Sequence, residues 1–404
     1  MKTIIKNGNL IDITTSDIIS KDVYIIEDRI CLPFEEDSST QTIDAQGKYL
    51  IPGLVDLHVH FRDPGLTHKE DIKTGSMAAA KGGFTTVCCM PNTVPTIDNR
   101  HTLSYIDDAG RQASFTDVLA VSAMTTGQNG KELCDFKSLD SQNTLSKELT
   151  SHGICAISED GKTLNDMELM TEVCKEAVEL GLLIMDHPQP EIKIIYRDIE
   201  LAKKYGCKMH LQHISTKESV ELVRQAKSDG LPVTAEAAPH HFALNKDAQN
   251  LYGTDAKMNP PLAEERDRLA VLEGLSDDTI DIIATDHAPH TDSEKNTTFE
   301  KAPFGIVGLE TAFPVSYTQL VKPGIMSINK LIYKMSMMPA TLINMSPVTL
   351  KPNDRANIGI IDIAEKYQIN KFEFLSKGKN TPFHGMDVYG KIIKTIHNGK
   401  TVFG

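Results

Sequence analysis

The middle of the chain repeats one pattern: a short apolar run, then a longer stretch with helical periodicity. The runs fall at 54–61, 85–90, 115–124, 154–159, 182–187, 207–215, 232–238 and 281–286. Between them stand patterns such as "KEDIKTGSMAAAKGG" (69–83), "NDMELMTEVCKEAVELG" (165–181) and "TKESVELVRQAKSDG" (216–230). Each of these ends in glycine, a frequent helix terminator because it accepts a left-handed backbone without steric cost. Eight strand–helix units over roughly 290 residues predict an α/β protein built as a (β/α)8 TIM barrel, which typically takes ~250 residues. An open doubly wound sheet would usually carry a Gly-rich phosphate loop after its first strand, and none is visible here.

Both ends of the chain read differently. "TIIKNGNLIDI", "DVYIIEDRI" and "QTIDAQGKYLI" lie in the first fifty-odd residues, and "NIGIIDIA", "KFEFL" and "GKIIKTIHNGKTVFG" in the last sixty. Their alternation between turn signals predicts short antiparallel strands. "HNGK" (397–400) carries the Asn-Gly pair of a tight hairpin. The expected layout is a small β-sandwich domain composed of 1–50 plus 346–404, and a barrel spanning 51–345.

In a barrel, chemistry sits at the C-terminal ends of the strands. The first run leads into "DLHVHFRDPG" (56–65). Side chains at i, i+2 and i+4 of a strand share a face, so His58, His60 and Arg62 are predicted to point together. Strand 4, "ICAISEDG", ends in Asp160; strand 5, "LLIMDHP", in His187; strand 6, "CKMHLQHIS", in His213; strand 8, "DIIATDHAPH", in Asp286. Four histidines and two aspartates thus gather at one mouth. Nitrogen and carboxylate ligands suit Zn2+, and an aspartate can bridge two ions. Two ions ~3.5–4 Å apart activate a water, and a further carboxylate can move its proton to a leaving nitrogen.

The other candidates read as structural. His210, three before His213, faces the other way. His240 and His241 read as loop or supporting residues, and His287 as pointing away from Asp286. His68, His101, His152, His384 and His397 read as surface or loop residues. Glu159 competes with Asp160, but alternation puts only one of them inside. Asp63 either orients Arg62 or starts a loop. Asn92 and Asn259 follow apolar stretches and read as turn formers, or as substrate donors at a barrel mouth.

A formal net charge of −13, with no basic patch, argues against nucleic acid as a partner. No apolar run approaches the ~18 residues of a membrane span, and the N-terminus lacks a signal-peptide core. Seven scattered cysteines without a C-x-x-C pattern suit a reducing, cytoplasmic setting.

"DLHVHFRDPG", "KGGFTTVCCMPNTVPTID", "HISTKESV", "KMNPPL", "ATDHAPHT", "EKAPFGIVGLET" and "SKGKNTPFHGMDVYGKIIKTIHNGK" together resemble the dihydroorotase family of the amidohydrolase superfamily. The resemblance spans nearly the whole chain. It implies that His58 and His60 bind a first zinc with Asp286, that Asp160 bridges two zincs per subunit, and that His187 and His213 bind the second. Asp286 would also shuttle the proton. Arg62, Asn92 and His290 would hold the carboxylate of a small anionic substrate. Asn259 and the Pro303-Phe304-Gly305 loop would contact its ring. The implied reaction closes N-carbamoyl-L-aspartate to L-dihydroorotate and water, reversibly. The resemblance further implies a homo-oligomer, a dimer, and association with aspartate carbamoyltransferase as a partner.

Two departures stand out. Relatives usually follow the strand-5 histidine with Cys-Glu-Asp, where this chain has Pro188-Gln189-Pro190, and the stretch to His213 is shorter than usual. Relatives often have Arg-Glu-Pro-Gly where Arg62-Asp63-Pro64-Gly65 stands here. The rival readings are a hydantoinase or allantoinase and a non-catalytic subunit of aspartate carbamoyltransferase. The first generally bridges its metals with a carboxylated lysine at the end of strand 4, where this chain has Asp160 and, beyond it, Lys162. The second would be expected to have lost metal ligands.

Overall fold

A computed structural model describes residues 1–13, 15, 17–139 and 153–404. Among them, eight parallel strands form one sheet in sequential order. Barrel strands 1 to 8 are Leu54–Val59, Phe84–Cys89, Asp117–Ala123, Ile154–Ser158, Ile184–Asp186, Met209–Leu211, Val233–Ala237 and Ile282–Ile283. The first and last strands close on each other through a bridge between Val59 and His287, with the His60 N–H donating to the His287 carbonyl at 2.8 Å. Asp56 reinforces the seam by accepting from the Thr285 hydroxyl and amide at 2.6 and 3.1 Å. Burial pushes its carboxyl up to about 7.

The expected helices form where their caps allow. Asp71 opens the helix Ile72–Lys81 with a capping box to Thr74. Asp166 opens Met167–Leu180, which stops at Gly181 with φ +71°. Thr216 opens Lys217–Ser228. Apolar faces of these helices pack on the outside of the barrel, against residues such as Phe84, Val87 and Ile184. Inside, Cys88 of strand 2 meets Cys155 of strand 4 at 3.6 Å although the two strands are not neighbours in the sheet. Val55, Leu57, Val121, Met185 and Ile282 complete this inner cluster, so the barrel is packed below its mouth.

The chain ends do meet. A six-stranded sheet runs Lys400–Phe403, Lys391–His397, Ile358–Asp362, Tyr49–Pro52, Asn9–Ile11, Ile18–Ser20. A four-stranded sheet from the N-terminal segment faces it, and Ile5, Ile25, Leu50, Ile358 and Ile396 are buried together. The pairing is mixed rather than all antiparallel: Lys2–Lys6 runs parallel to Thr40–Asp44, and Asn9–Ile11 parallel to Tyr49–Pro52. The "HNGK" hairpin forms, with Asn398 and Gly399 at φ +48° and +74°.

Three expectations about the C-terminal part change. "KFEFL" is not a strand; Lys371–Glu373 is a single 3-10 turn, entered through Asn370, whose side chain accepts from the Phe372 amide. Not all of 346–404 lies in the terminal sheets, because Ile369, Phe383 and Val388 pack against Ile306 and Val315 of the barrel. His397 is buried at the end of its strand and lies 3.2 Å from Asp117 at the start of barrel strand 3, since the hairpin folds onto the barrel wall. His68, His101 and His384 are exposed, and His152 lies outside the described residues.

Candidate active site

Strand ends bring the expected cluster together. Asp160 stands between the histidines: Oδ1 lies 3.3 Å from both His58 Nε2 and His187 Nδ1, and Oδ2 lies 3.3 Å from His60 Nε2. Asp286 Oδ1 approaches His60 Nε2 at 3.1 Å and His58 Nε2 at 3.5 Å. His213 Nε2 faces His187 Nδ1 at 2.9 Å. All six residues are buried. Potential ligand atoms of His58, His60 and Asp160 lie within 4.8 Å of one another, as do those of Asp160, His187 and His213, so Asp160 belongs to both groups.

Neighbours fix which nitrogen faces inward. His58 Nδ1 lies 2.6 Å from Glu236 Oε1, and a carboxylate only accepts, so Nδ1 carries the proton. His60 Nδ1 likewise donates to Asn92 Oδ1 at 2.9 Å. Both Nε2 lone pairs then point at carboxylate oxygens. His58 Nε2 is buried there without a hydrogen-bond partner. Lone pairs facing carboxylates at this range are stabilised only by a proton or a metal cation between them. The donor set therefore fits divalent metal ions, and nitrogen–carboxylate sets of this kind suit zinc.

The backbone at the mouth is unusual. Arg62, His213 and Asp286 adopt φ of +60°, +33° and +48°, a region that non-glycine residues occupy only when held there. Arg62 therefore does not continue the alternation of strand 1, which ends at Val59. It still reaches the cluster. Burial pulls its guanidinium below its ordinary value, while Asp286, Asp160 and Glu294 pull it back up. Its Nε has no hydrogen-bond partner.

A family model described as dihydro-orotase-like matches residues 47–191. The chain is 39% identical over 434 residues to a dihydroorotase of Ruminiclostridium cellulolyticum, covering 100% of this chain and 98% of that one. It is 40% identical over 431 residues to a dihydroorotase of Clostridium acetobutylicum, covering 99% of each. The chain belongs to the dihydroorotase family. The same fold recurs in solved structures of lower identity. An L-hydantoinase (dihydropyrimidinase) from Arthrobacter aurescens aligns with a TM-score of 0.87 at 24% identity, over 99% of this chain and 96% of that one.

Within this dihydroorotase-family chain, the remaining candidates divide. Asn259 Nδ2 donates to Gln189 Oε1 at 2.7 Å, and Gln189 in turn lies 3.3 Å from His187 Nε2. The altered stretch after His187 thus supplies its own orienting acceptor. Glu191 of the same stretch accepts from Ser215 and Thr216, just past His213. His290 Nε2 donates to the Phe304 carbonyl at 2.8 Å, and Lys69 Nζ lies 3.4 Å from its Nδ1. Burial and the charges of Arg62 and Lys69 hold His290 down to about 3. The Phe304 ring is turned outward, 54% exposed and 4.6 Å from Lys257 Nζ. Gly305 has φ +127°, and a Cβ there would meet Ala288 at 2.6 Å.

Structural readings of the other residues fare well, with refinements. Glu159 faces away and accepts from the Met124 and Thr125 amides at 3.0 and 3.1 Å. His287 Nδ1 accepts from the Gly308 amide. His240 and His241 are buried in a short helix, Pro239–Ala243, rather than in a loop. Asp63 binds the Tyr105 hydroxyl and the Ile72 amide instead of Arg62. Lys162 donates to the Gln128 carbonyl at 2.7 Å. Sequence reading missed Glu236, whose signal is a lone acidic residue within the otherwise uncharged strand Val233–Ala237.

It also missed Lys295. This buried lysine donates to the carbonyls of Pro303, Gly305 and Lys257 at 3.0, 2.8 and 3.3 Å, anchoring the polar loop after barrel strand 8. Burial pulls its ammonium down to about 8 from an ordinary value of 10.5. The folded chain thus sheds this proton before the unfolded chain does, and stability from this group rises with pH between those values. Lys295→Met is expected to open the 291–305 loop to proteolysis. It should also remove about 2 kcal/mol of stability gain between pH 8 and 10. Denaturant unfolding at both pH values checks this; identical pH slopes for both proteins would sink it.

Proposed function

We propose that this chain is a dihydroorotase, which interconverts N-carbamoyl-L-aspartate with L-dihydroorotate and water in pyrimidine biosynthesis. The observation that carries the reading is the convergence of His58, His60, His187 and His213 on Asp160, with Asp286 against His58 and His60 and a half-buried arginine beside them, in a chain that aligns end to end with dihydroorotases. His58, His60 and Asp286 would hold one zinc, His187 and His213 a second, with Asp160 shared. The bound pair supplies an acidified water and a Lewis acid for the ring carbonyl. The chain's own groups do the rest. Arg62, Asn92 and His290 receive the substrate carboxylate; an anion arriving beside His290 favours its protonated form. Asn259 and the backbone of Phe304 and Gly305 border the ring, the Phe304 side chain being turned outward.

In ring opening, the water oxygen adds to the amide carbon and the carbon–nitrogen bond breaks. Asp286 takes the proton from the attacking water and gives it to the departing nitrogen. Ring closure runs the same steps backwards. Lys162, bonded to the Gln128 carbonyl, supports an aspartate bridge over the carboxylated lysine of hydantoinases. The reading includes a homodimer and association with aspartate carbamoyltransferase; these rest on the sequence resemblance, and light scattering with and without that enzyme tests them. No helix of the described residues is long and apolar enough to cross a membrane; the cytoplasmic setting rests on the scattered cysteines.

Steady-state turnover of zinc-loaded protein tests the function, with L-dihydroorotate, hydantoin and allantoin run in parallel and a chelator control. Chelator-sensitive turnover of dihydroorotate alone is expected. Turnover of hydantoin or allantoin instead would overturn the substrate, and no turnover with metal bound would favour a non-catalytic subunit. Arg62→Ala is expected to raise KM roughly 10- to 150-fold with a smaller change in kcat, the effect of about 1.5–3 kcal/mol for a charged hydrogen bond. An unchanged KM would remove Arg62 from the carboxylate site.

A further inference from the structure

Glu236 lies on barrel strand 7, which contributes none of the six ligand candidates. It is 1% exposed, and both its oxygens are engaged. Oε1 accepts from His58 Nδ1 at 2.6 Å and from the backbone N–H of His213 at 3.2 Å. Oε2 accepts from His210 Nε2 at 3.1 Å, and His210 Nδ1 is held by the Thr234 hydroxyl at 2.9 Å. His58 belongs to one ligand group and His213 to the other. One oxygen therefore touches both halves of the cluster.

We propose that Glu236 is a positioning residue shared by the two metal positions, fixing the ring of His58 and the backbone of His213 with one carboxylate. The inference rests on the metal-site reading above. The physical case has two parts. At His58, an acceptor-only partner forces the proton onto Nδ1 and aims the Nε2 lone pair inward, and its charge makes that nitrogen a stronger donor. At His213, the backbone sits at φ +33°, a conformation that needs an external hold, and the bond from its N–H to Glu236 supplies one. His210 clamps the far oxygen, so the carboxylate cannot rotate to serve one histidine at the expense of the other.

Stepwise Zn2+ binding, measured by competition with a chelator of known affinity, tests this on wild type, Glu236→Gln and Glu236→Leu. Gln keeps the volume and one acceptor oxygen but removes the charge. Leu removes the acceptor. Outer partners of metal ligands are worth roughly 10- to 100-fold in affinity. Both binding steps are expected to weaken about tenfold in Glu236→Gln and about 100-fold in Glu236→Leu, with unchanged far-ultraviolet circular dichroism before metal is added. If Glu236→Leu fails to fold, Glu236→Gln alone decides. Weakening of one step only, or both steps within twofold of wild type, overturns the shared role. A wild-type protein that binds no Zn2+ would instead sink the metal-site reading itself.

Discussion

Asp286→Asn is expected to lower kcat roughly 10²- to 10⁴-fold while most of the metal stays bound. Asn keeps a carbonyl oxygen at the position of Oδ1, which lies 3.1 Å from His60 Nε2 and 3.5 Å from His58 Nε2. The other five candidate ligands are untouched, so metal content should change little. What asparagine cannot do is take a proton and return it. The loss should therefore appear in kcat and kcat/KM together, because the interaction removed is made only as the proton moves. The backbone at Asp286, with φ +48°, aims the carboxylate into the cluster, and asparagine tolerates that conformation better than most residues. A folded variant with wild-type kcat would take the proton shuttle away from Asp286. A variant that lost both metal and turnover would make Asp286 chiefly a ligand.

The ligand candidates were legible because barrel geometry makes chain position equivalent to place. A polar residue at the end of an apolar run must surface at the mouth, so sequence alone places Asp160, His187, His213 and Asp286 there. Arg62 also reaches the cluster, but not by strand alternation: the strand stops at Val59 and Arg62 turns through a left-handed conformation. Glu236 escaped because strand-end reasoning ignores strand interiors, although a charge inside an apolar strand always needs a buried partner. His397 reads as a surface residue of a hairpin, and Lys295 is one unremarkable lysine in a polar loop. Their burial depends on what folds over them, which no local pattern records. Gln189 stood out only as part of the altered stretch after His187, and its bond to His187 is visible only once the chain is folded.

Metal removal should have the other large effect, and its pH dependence follows from the site's charges. Burial pushes the His58 imidazolium down, but Glu236, Asp160 and Asp286 outweigh this and hold its pKa well above the ordinary range in the metal-free chain. Asp160 remains a carboxylate well below its usual range, despite burial, because His58 and His60 face it. A proton on His58 Nε2 would therefore compete with a metal ion for the same lone pair. Its contribution to stability is fully present below the unfolded pKa of histidine and fades as pH rises through the raised folded value. A metal ion must displace that proton, so metal affinity should climb with pH, by about tenfold per unit for one displaced proton. Chelated protein is expected to lose turnover completely and to regain it on adding Zn2+, needing more metal at pH 6 than at pH 8. The packed inner cluster of Val55, Leu57, Val121 and Met185 is apolar and supplies no ligand, so the barrel should stay folded throughout. Circular dichroism alongside a Zn2+ titration at both pH values checks each part. Affinity that does not vary with pH would mean that no ligand holds a proton, and turnover that survives chelation would remove the metal from the reaction.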